Sequence, residues 1–363
     1  MYLFKIFMVL QLILLLQHLP VSLAGCKPTK HKNDVQQPGI HANHPSASGT
    51  HQQDNTTATT FQCVHGLEFD LTRNIRIENI NIFYNLDQEY KIGQGGFGQI
   101  YHAYHEKDKR CVALKITNFS NETRKKIAEN EVKVLNHIKL NYGEKIRNRI
   151  INIYGNMEIG GRMMYTVLEL CGSNLLNYFH AKMGELEDTS KNNFIMKILK
   201  SAAIAIKQLH DKNIIHLDIK LDNFVLGYKS NQTSIVTRPV INLKLIDFNS
   251  SVISGWDIDE VQLTTMNSVL KPPELERNDI ENLSKSADIW AFGLMSYEIV
   301  YGELPKGRPE LLEVLESYRN DHSYNSRLDI LIKNCIAVDP NERPDIDQIS
   351  REIDEILAQH GHK

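Results

Sequence analysis

The chain of 363 residues is long enough for one large domain or two ordinary ones, and its 42% hydrophobic and 23% charged residues are the balance of a globular protein. A formal net charge of −3 supplies no broad basic field, so nucleic acid is not expected as a partner. Five cysteines are too few and too scattered for a scaffold held by disulfides.

The first residues, MYLFKIFMVLQLILLLQHLPVSLAGC, carry one lysine, an apolar run from Ile6 to Leu16, Pro20 and then the small residues Ser22-Leu23-Ala24. That layout predicts a secretory signal peptide over residues 1–24, cleaved after Ala24. The run is short beside the roughly 20 apolar residues of a membrane span. A membrane contact is therefore expected only if the segment stays uncleaved as an anchor; otherwise the chain is expected in the secretory lumen or outside the cell. Asn-x-Ser/Thr sequons begin at Asn55, Asn118, Asn121, Asn231, Asn249 and Asn282, and they matter only if that leader works. From Gly25 the sequence is rich in His, Thr, Asn, Gln and Pro and poor in large apolar residues. Such a stretch buries too little surface to offset the entropy of ordering, so residues 25–82 read as a disordered polar leader. Cys26 and Cys63 fall in it and could pair in an oxidising compartment, while Cys111, Cys171 and Cys335 read as small buried hydrophobes. The leader's His31, His41, His44 and His51 match no metal-site spacing. No internal repeat is present.

Ordered structure is expected from about residue 83. YKIGQGGFGQIYHAYH alternates apolar and polar residues around a glycine turn, as two strands joined by a loop would. CVALKITNF reads as another strand. TRKKIAENEVKVLNHI has helical spacing at Ile127, Val132, Leu135 and Ile138. MMYTVLELCG reads as an apolar strand ended by Gly172. Beyond it helical patterns dominate, notably NFIMKILKSAAIAIKQLH and SADIWAFGLMSYEIV, with a strand-like pair, FVLGY and LKLIDF, between them. A strand-rich part leading into a helix-rich part is an α+β arrangement in two lobes.

Gly93, Gly95 and Gly98 form G-x-G-x-x-G, a weak signal alone. A dinucleotide site needs those glycines to open a helix; here another strand follows. A glycine hairpin between strands can lay its amides over a triphosphate, because no side chain blocks the approach. Lys115, in VALK, can neutralise phosphates and needs a counter-charge. Glu131 falls in phase with the apolar helix face, and Glu129 is the neighbouring candidate. In IIHLDIKLDNF, Asp218 can accept a hydroxyl proton and Lys220 can steady charge on a transferred phosphoryl group. Asn223 offers a carbonyl oxygen to a hard cation, and Asp247, in LIDFN, offers a carboxylate. Phosphoryl transfer needs alignment and charge neutralisation more than covalent help, and these residues supply both.

With the glycine loop, VALK, HLDIKLDN, DFN, PPE and DIWAFG in this order, the sequence from about Phe83 to Leu357 resembles the eukaryotic protein kinases. The resemblance implies a domain over 83–358, with a small β-rich N-lobe (83–170), a larger helical C-lobe (171–358), and ATP and Mg2+ in the cleft between them. It implies that Gly93, Gly95, Gly98, Ile100, Lys115 and Glu131 form the nucleotide site. Glu169 and Cys171 would hold adenine through backbone groups, with Leu168 behind. Asp218 and Lys220 would be catalytic, and Asn223 and Asp247 would ligate the metal. A lysine two residues after the catalytic Asp is typical of the Ser/Thr class, so protein Ser/Thr hydroxyls are the expected acceptors, and a monomer is expected. Glu274 and Arg343 match the family's pair that ties the activation segment to the helical lobe. Asp288 matches the residue that braces the catalytic loop, while Trp290 and Phe292 read as core.

Two positions depart from the pattern. Leu217 stands where the family usually has the arginine that holds a phosphorylated loop, so activity is expected without loop phosphorylation. Asn249 replaces the DFG glycine; asparagine tolerates unusual backbone angles best among the remaining residues. The family's Gly-Thr before PPE is missing, and Thr264, Thr265 or Ser268 stands in for its threonine. The alternative to an active enzyme is a pseudokinase that binds nucleotide or partners without turnover; a secretory-pathway kinase acting on sugars is a third reading.

Overall fold

The computed structural model describes residues 60–142, 149–228, 241–256, 264–276 and 280–360. Strands β1 (Thr60–Gln62) and β2 (Glu68–Asp70) form a small antiparallel pair of their own. The next seven are β3 (Asn74–Ile77), β4 (Ile80–Tyr84), β5 (Lys91–Gly95), β6 (Gly98–His105), β7 (Arg110–Asn118), β8 (Ile153–Ile159) and β9 (Met163–Glu169). They make one sheet in the order β3-β4-β6-β7-β9-β8, with β5 also paired to β6. Helix α1 (Glu122–Tyr142) follows β7 and buries Ile127, Val132, Leu135 and Ile138, the stripe that its sequence period predicts.

The expected leader does not reach residue 82. Residues 1–59, with the expected signal peptide, lie outside the described residues, but from Thr60 onward the chain forms β1 to β4. NIRIENINI alternates, and Ile75, Ile77 and Ile82 bury against Ala103, Val112, Leu114 and Val167. Glu78 and Asn79 form the two-residue turn, both at positive φ (47° and 67°). That is the backbone that matches the twist of a hairpin, and asparagine tolerates it well. Phe61 and Phe69 stack at 5.5 Å and close over Phe83 and Tyr104. Polar composition therefore hid an apolar alternation long enough to order the segment.

The helical part opens with β10 (Cys171–Asn174), α2 (Leu175–Glu185) and α3 (Asp188–His210). The expected strand thus stops at Glu169 rather than Gly172, and Gly172 lies inside β10, which pairs with β12. Short strands β11 (Ile214–Ile215), β12 (Phe224–Gly227), β13 (Leu243–Leu245) and β14 (Val252–Ile253) follow, then α4 (Ser286–Tyr301), α5 (Arg308–Asn320), α6 (Arg327–Cys335) and α7 (Ile346–His360). Helix α3 is central: Ile198, Leu199, Ala202, Ala205, Ile206 and Leu209 are wholly buried. Its alanines let neighbouring backbones approach closely. At Gly293 in α4 a Cβ would stand 2.7 Å from Ile336 and 2.8 Å from Cys335, so only glycine lets α6 end against this helix. Trp290 and Phe292 are core residues, as expected. Ser326 opens α6 with a capping box, its hydroxyl accepting from the Asp329 N–H while the Asp329 carboxylate accepts from the Ser326 N–H. The result is the α+β class that the patterning predicts. Among the described residues no helix is long and apolar enough to cross a membrane.

Candidate active site

The glycine hairpin joins β5 to β6, with Gly95 opposite Gly98. A Cβ at Gly98 would lie 2.7 Å from the Ile116 carbonyl oxygen, so a side chain there would push β6 away from β7. At Gly95 and Gly96 a Cβ would meet nothing within 4 Å, which leaves the face of the loop open to a ligand. Ile100 and Lys115 are cross-strand partners on β6 and β7 and share a face.

Lys115 is buried, and its Nζ donates to both carboxylate oxygens of Glu131 at 2.8 and 2.6 Å. Glu129 faces solvent and meets Lys125 instead, at 3.8 Å. Burial alone would push the Lys115 ammonium towards its neutral form. The Glu131 carboxylate, the nearby Asp247 charge and the hydrogen bond outweigh it and hold its pKa above the ordinary value. Lys115, Glu131 and Asp247 are therefore within electrostatic reach of one another although they come from a strand, a helix and a loop.

Two short strand pairs, β11 with β14 and β12 with β13, hold the two acidic loops together. Asp218 sits between β11 and β12. Its Oδ2 accepts from Lys220 Nζ at 2.7 Å and from Asn223 Nδ2 at 2.7 Å, and its carbonyl also accepts from Asn223 Nδ2 at 2.7 Å. With Nδ2 committed to Asp218, the side-chain Oδ1 of Asn223, distinct from its backbone carbonyl, is the atom it could offer to a cation. The Ile246 N–H donates to the Asn223 carbonyl at 2.9 Å, so this loop and the one bearing Asp247 are laced directly.

Asp288, wholly buried on α4, organises the loop from below. It accepts from the backbone N–H groups of His216 (2.9 Å) and Leu217 (2.8 Å) and from the His210 ring nitrogen (3.0 Å). His216 continues inward, with its Nε2 against the Ile246 carbonyl at 3.0 Å and its ring edge-on to Phe248 at 4.9 Å. Burial would raise the Asp288 carboxyl, but His210, His216 and the N–H donors hold it below its ordinary 3.8. A group with a lowered pKa contributes stability that is present above the unfolded value and is lost as pH falls through the folded one. Acid titration of unfolding is therefore expected to show loss of stability beginning below pH 3.8, with a shallower acid slope in Asp288→Asn; an identical slope in the two proteins would contradict it.

Leu217 and Asp247 both have φ of 65°, in the left-handed region that non-glycine residues resist. Such strain costs about 1–3 kcal/mol per residue and concentrates at functional loops. Asp288 offsets it at Leu217 by capturing its N–H. At Asp247 the Asn249 amide donates to Oδ1, and Asn130 of α1 donates to the carbonyls of Asn249 (3.2 Å) and Ser251 (2.9 Å). The residue that replaces the family's glycine thus has no positive φ of its own. It is 3% exposed, which leaves its sequon out of reach in the folded chain. Asn130 and His216 were not singled out in the sequence; their roles depend on loops 119 and 30 residues away.

Glu169 and Cys171 lie at the junction of the two parts. The Glu169 N–H donates to the Asn152 carbonyl at 2.9 Å, and its carboxylate accepts from Lys244 Nζ (2.6 Å) and Asn152 Nδ2 (2.8 Å). Its side chain therefore ties β9 to β13, a role the sequence did not suggest. Burial pushes the half-buried Cys171 thiol up to about 12. Arg343 grips Glu274 with two bonds of 2.7 Å and stacks its guanidinium over Trp290 at 5.1 Å. Of the three candidates near PPE, Thr265 has its hydroxyl 2.6 Å from Ser250, while Thr264 and Ser268 are exposed.

Residues 86–352 match the family model described as protein kinase domain. The chain is 30% identical to the probable serine/threonine-protein kinase zyg-1 of Caenorhabditis briggsae, over 64% of this chain and 29% of that protein. It is 27% identical to serine/threonine-protein kinase 33 of Bos taurus (69% and 51%) and 25% identical to the human serine/threonine-protein kinase tousled-like 2 (75% and 36%). The chain thus spans about a third to a half of the length of these relatives.

Proposed function

The chain belongs to the protein kinase family, and from that premise we propose that it transfers the γ-phosphoryl group of ATP to serine and threonine hydroxyls of protein substrates, with Mg2+. The observation that carries this reading is the convergence of Lys115, Glu131 and Asp247 in one electrostatic group, beside an Asp218 already bonded to Lys220 and Asn223.

The residues fit both bound groups. The open face at Gly95 and Gly96 leaves room for phosphates, and Lys115 is charged and oriented by Glu131 to meet them. Adenine would reach the carbonyl of Glu169, whose N–H is already committed, and the N–H of Cys171. Asn223 and Asp247 offer the hard oxygen donors that Mg2+ prefers. The buried Asn249 Oδ1 adds an unpartnered acceptor beside Asp247. Magnesium, when bound, neutralises phosphate charge. Asp218 receives the proton of the acceptor hydroxyl and orients that hydroxyl for attack. Lys220, held 2.7 Å from Asp218, stabilises negative charge at the reacting phosphoryl group. Its position two residues after Asp218, together with relatives named as serine/threonine kinases, supports hydroxyls of that class.

The test is transfer of labelled phosphate from ATP to a generic basic protein, followed by hydrolysis and separation of the phosphoamino acids. Phosphoserine and phosphothreonine are expected. Label on tyrosine or on glycan alone would change the acceptor class, and none at all would leave the pseudokinase. We further propose export directed by residues 1–24, motivated by their charge and apolar pattern. Sequencing of the mature chain is expected to begin at Gly25, and recovery from the cytosol with residues 1–24 attached would refute it.

A further inference from the structure

Away from the nucleotide cleft, four side chains with metal-binding atoms meet under the β1–β2 hairpin. Cys63 and His65 lie in its turn, which the Gly66 N–H closes onto the Cys63 carbonyl at 2.9 Å. His102 comes from β6 and Cys111 from β7. In the β6–β7 register His102 faces Ala113 and Cys111 faces Tyr104, so the two lie diagonally on one face of the strand pair. One ligating atom from each of the four residues lies within 4.8 Å of every other. We propose that Cys63, His65, His102 and Cys111 form a structural zinc site that staples the N-terminal hairpin to the strands carrying the nucleotide loop and Lys115.

The geometry is close to what zinc requires. Tetrahedral zinc with Zn–S of about 2.3 Å and Zn–N of about 2.0–2.1 Å has ligand–ligand edges of roughly 3.3–3.8 Å. Cys63 Sγ already stands 3.8 Å from His102 Nε2, and His65 Nδ1 stands 3.2 Å from Cys111 Sγ. Closing the remaining edges from at most 4.8 Å takes small side-chain rotations. Two thiolates and two imidazoles are the donor set of structural zinc, and four protein ligands leave no open position for catalysis. The surroundings are apolar: Cys63 packs with Phe69, Phe83, Tyr90 and Tyr101, and the Phe69 ring lies 6.1 Å from His102. Binding releases the two thiol protons to solvent. His65 is exposed and gives the ion its way in.

The site also answers a structural need. β1 and β2 form no backbone ladder with the seven-stranded sheet; among the described residues they reach it through side chains, such as the Phe61 ring packed on Phe83 of β4 and Tyr104 of β6. A metal cross-link would fix that hairpin against β6 and β7 independently of whether the nucleotide reading holds.

The test is elemental analysis of the full chain purified without chelator, with cobalt(II) replacement. The expected result is one zinc per chain, a thiolate-to-cobalt charge-transfer band and tetrahedral cobalt absorption. Cys63→Ser and Cys111→Ser are each expected to weaken zinc binding by more than the roughly 10–100-fold that loss of a supporting partner costs, while Cys171→Ser keeps the metal. If the serine variants fail to fold, the wild-type chain decides. Cys63 and Cys111 should resist alkylation until a chelator is added, and the chelator should lower the melting temperature. A metal-free chain without the cobalt–thiolate band, a Cys63–Cys111 disulfide in its place, or zinc retained in both serine variants would overturn the proposal.

Discussion

Asp218→Asn is expected to lower phosphate transfer by about 10²- to 10⁴-fold, the range that a positioned general base contributes, with nearly unchanged thermal unfolding. The reason is local. Asparagine has the shape of aspartate and keeps one acceptor for Lys220 or Asn223, so the loop braced by Asp288 has no cause to move. What it loses is the charge that attracts the hydroxyl proton. Label transfer by the wild type and the variant, compared at saturating ATP and Mg2+, measures the effect. Equal rates would remove Asp218 from the chemistry, and a large fall in melting temperature would mean that its role is structural.

Leu217→Arg is expected to destabilise the chain by about 3–5 kcal/mol, the range associated with an uncompensated buried charge. Leu217 is 4% exposed and packs with Ile215, Val252, Met266, Leu275 and Ala287. Those residues come from β11, from β14 after Asp247, from the segment before PPE, from the leucine that follows PPE and from α4. The position where the family resemblance implies a phosphate-binding arginine is here an apolar plug joining the loop to the segment that follows Asp247. Packing needs no modification to form, so phosphatase treatment of the wild-type protein should leave transfer unchanged. Differential scanning of the variant measures the first expectation. A variant that melts like the wild type, or a wild-type enzyme silenced by phosphatase, would show that charge still governs this contact.

Much of the site was legible in the linear pattern because each motif is local. Lys115 lies within a strand, Glu131 lies in phase on the next helix, and three glycines mark a hairpin; their pairing follows from period and spacing. Glu274 with Arg343, and Asp288 under the Asp218 loop, were legible only through the resemblance, since nothing in residues 69 or 71 positions apart announces a contact. The extra strands were hidden for a different reason. Between residues 60 and 82 the apolar residues alternate with polar ones, as a half-buried hairpin needs, and an average over the segment reports only the polarity. The carboxylate of Glu169 was missed because its partner Lys244 is 75 residues distant.

By itself, then, the sequence determined the local elements and the groups on offer: period 2 and period 3.6 specify strand and helix, and Lys115, Asp218, Asn223 and Asp247 come in the order that the proposed phosphoryl transfer would use. Tertiary structure alone decided which distant groups meet. Register across β6 and β7 brought His102 and Cys111 beside a turn that carries Cys63 and His65, and the burial of Leu217 turned a missing charge into a packed contact. The physical reason is that backbone pattern is set by neighbours along the chain, whereas desolvation and donor geometry depend on neighbours in space.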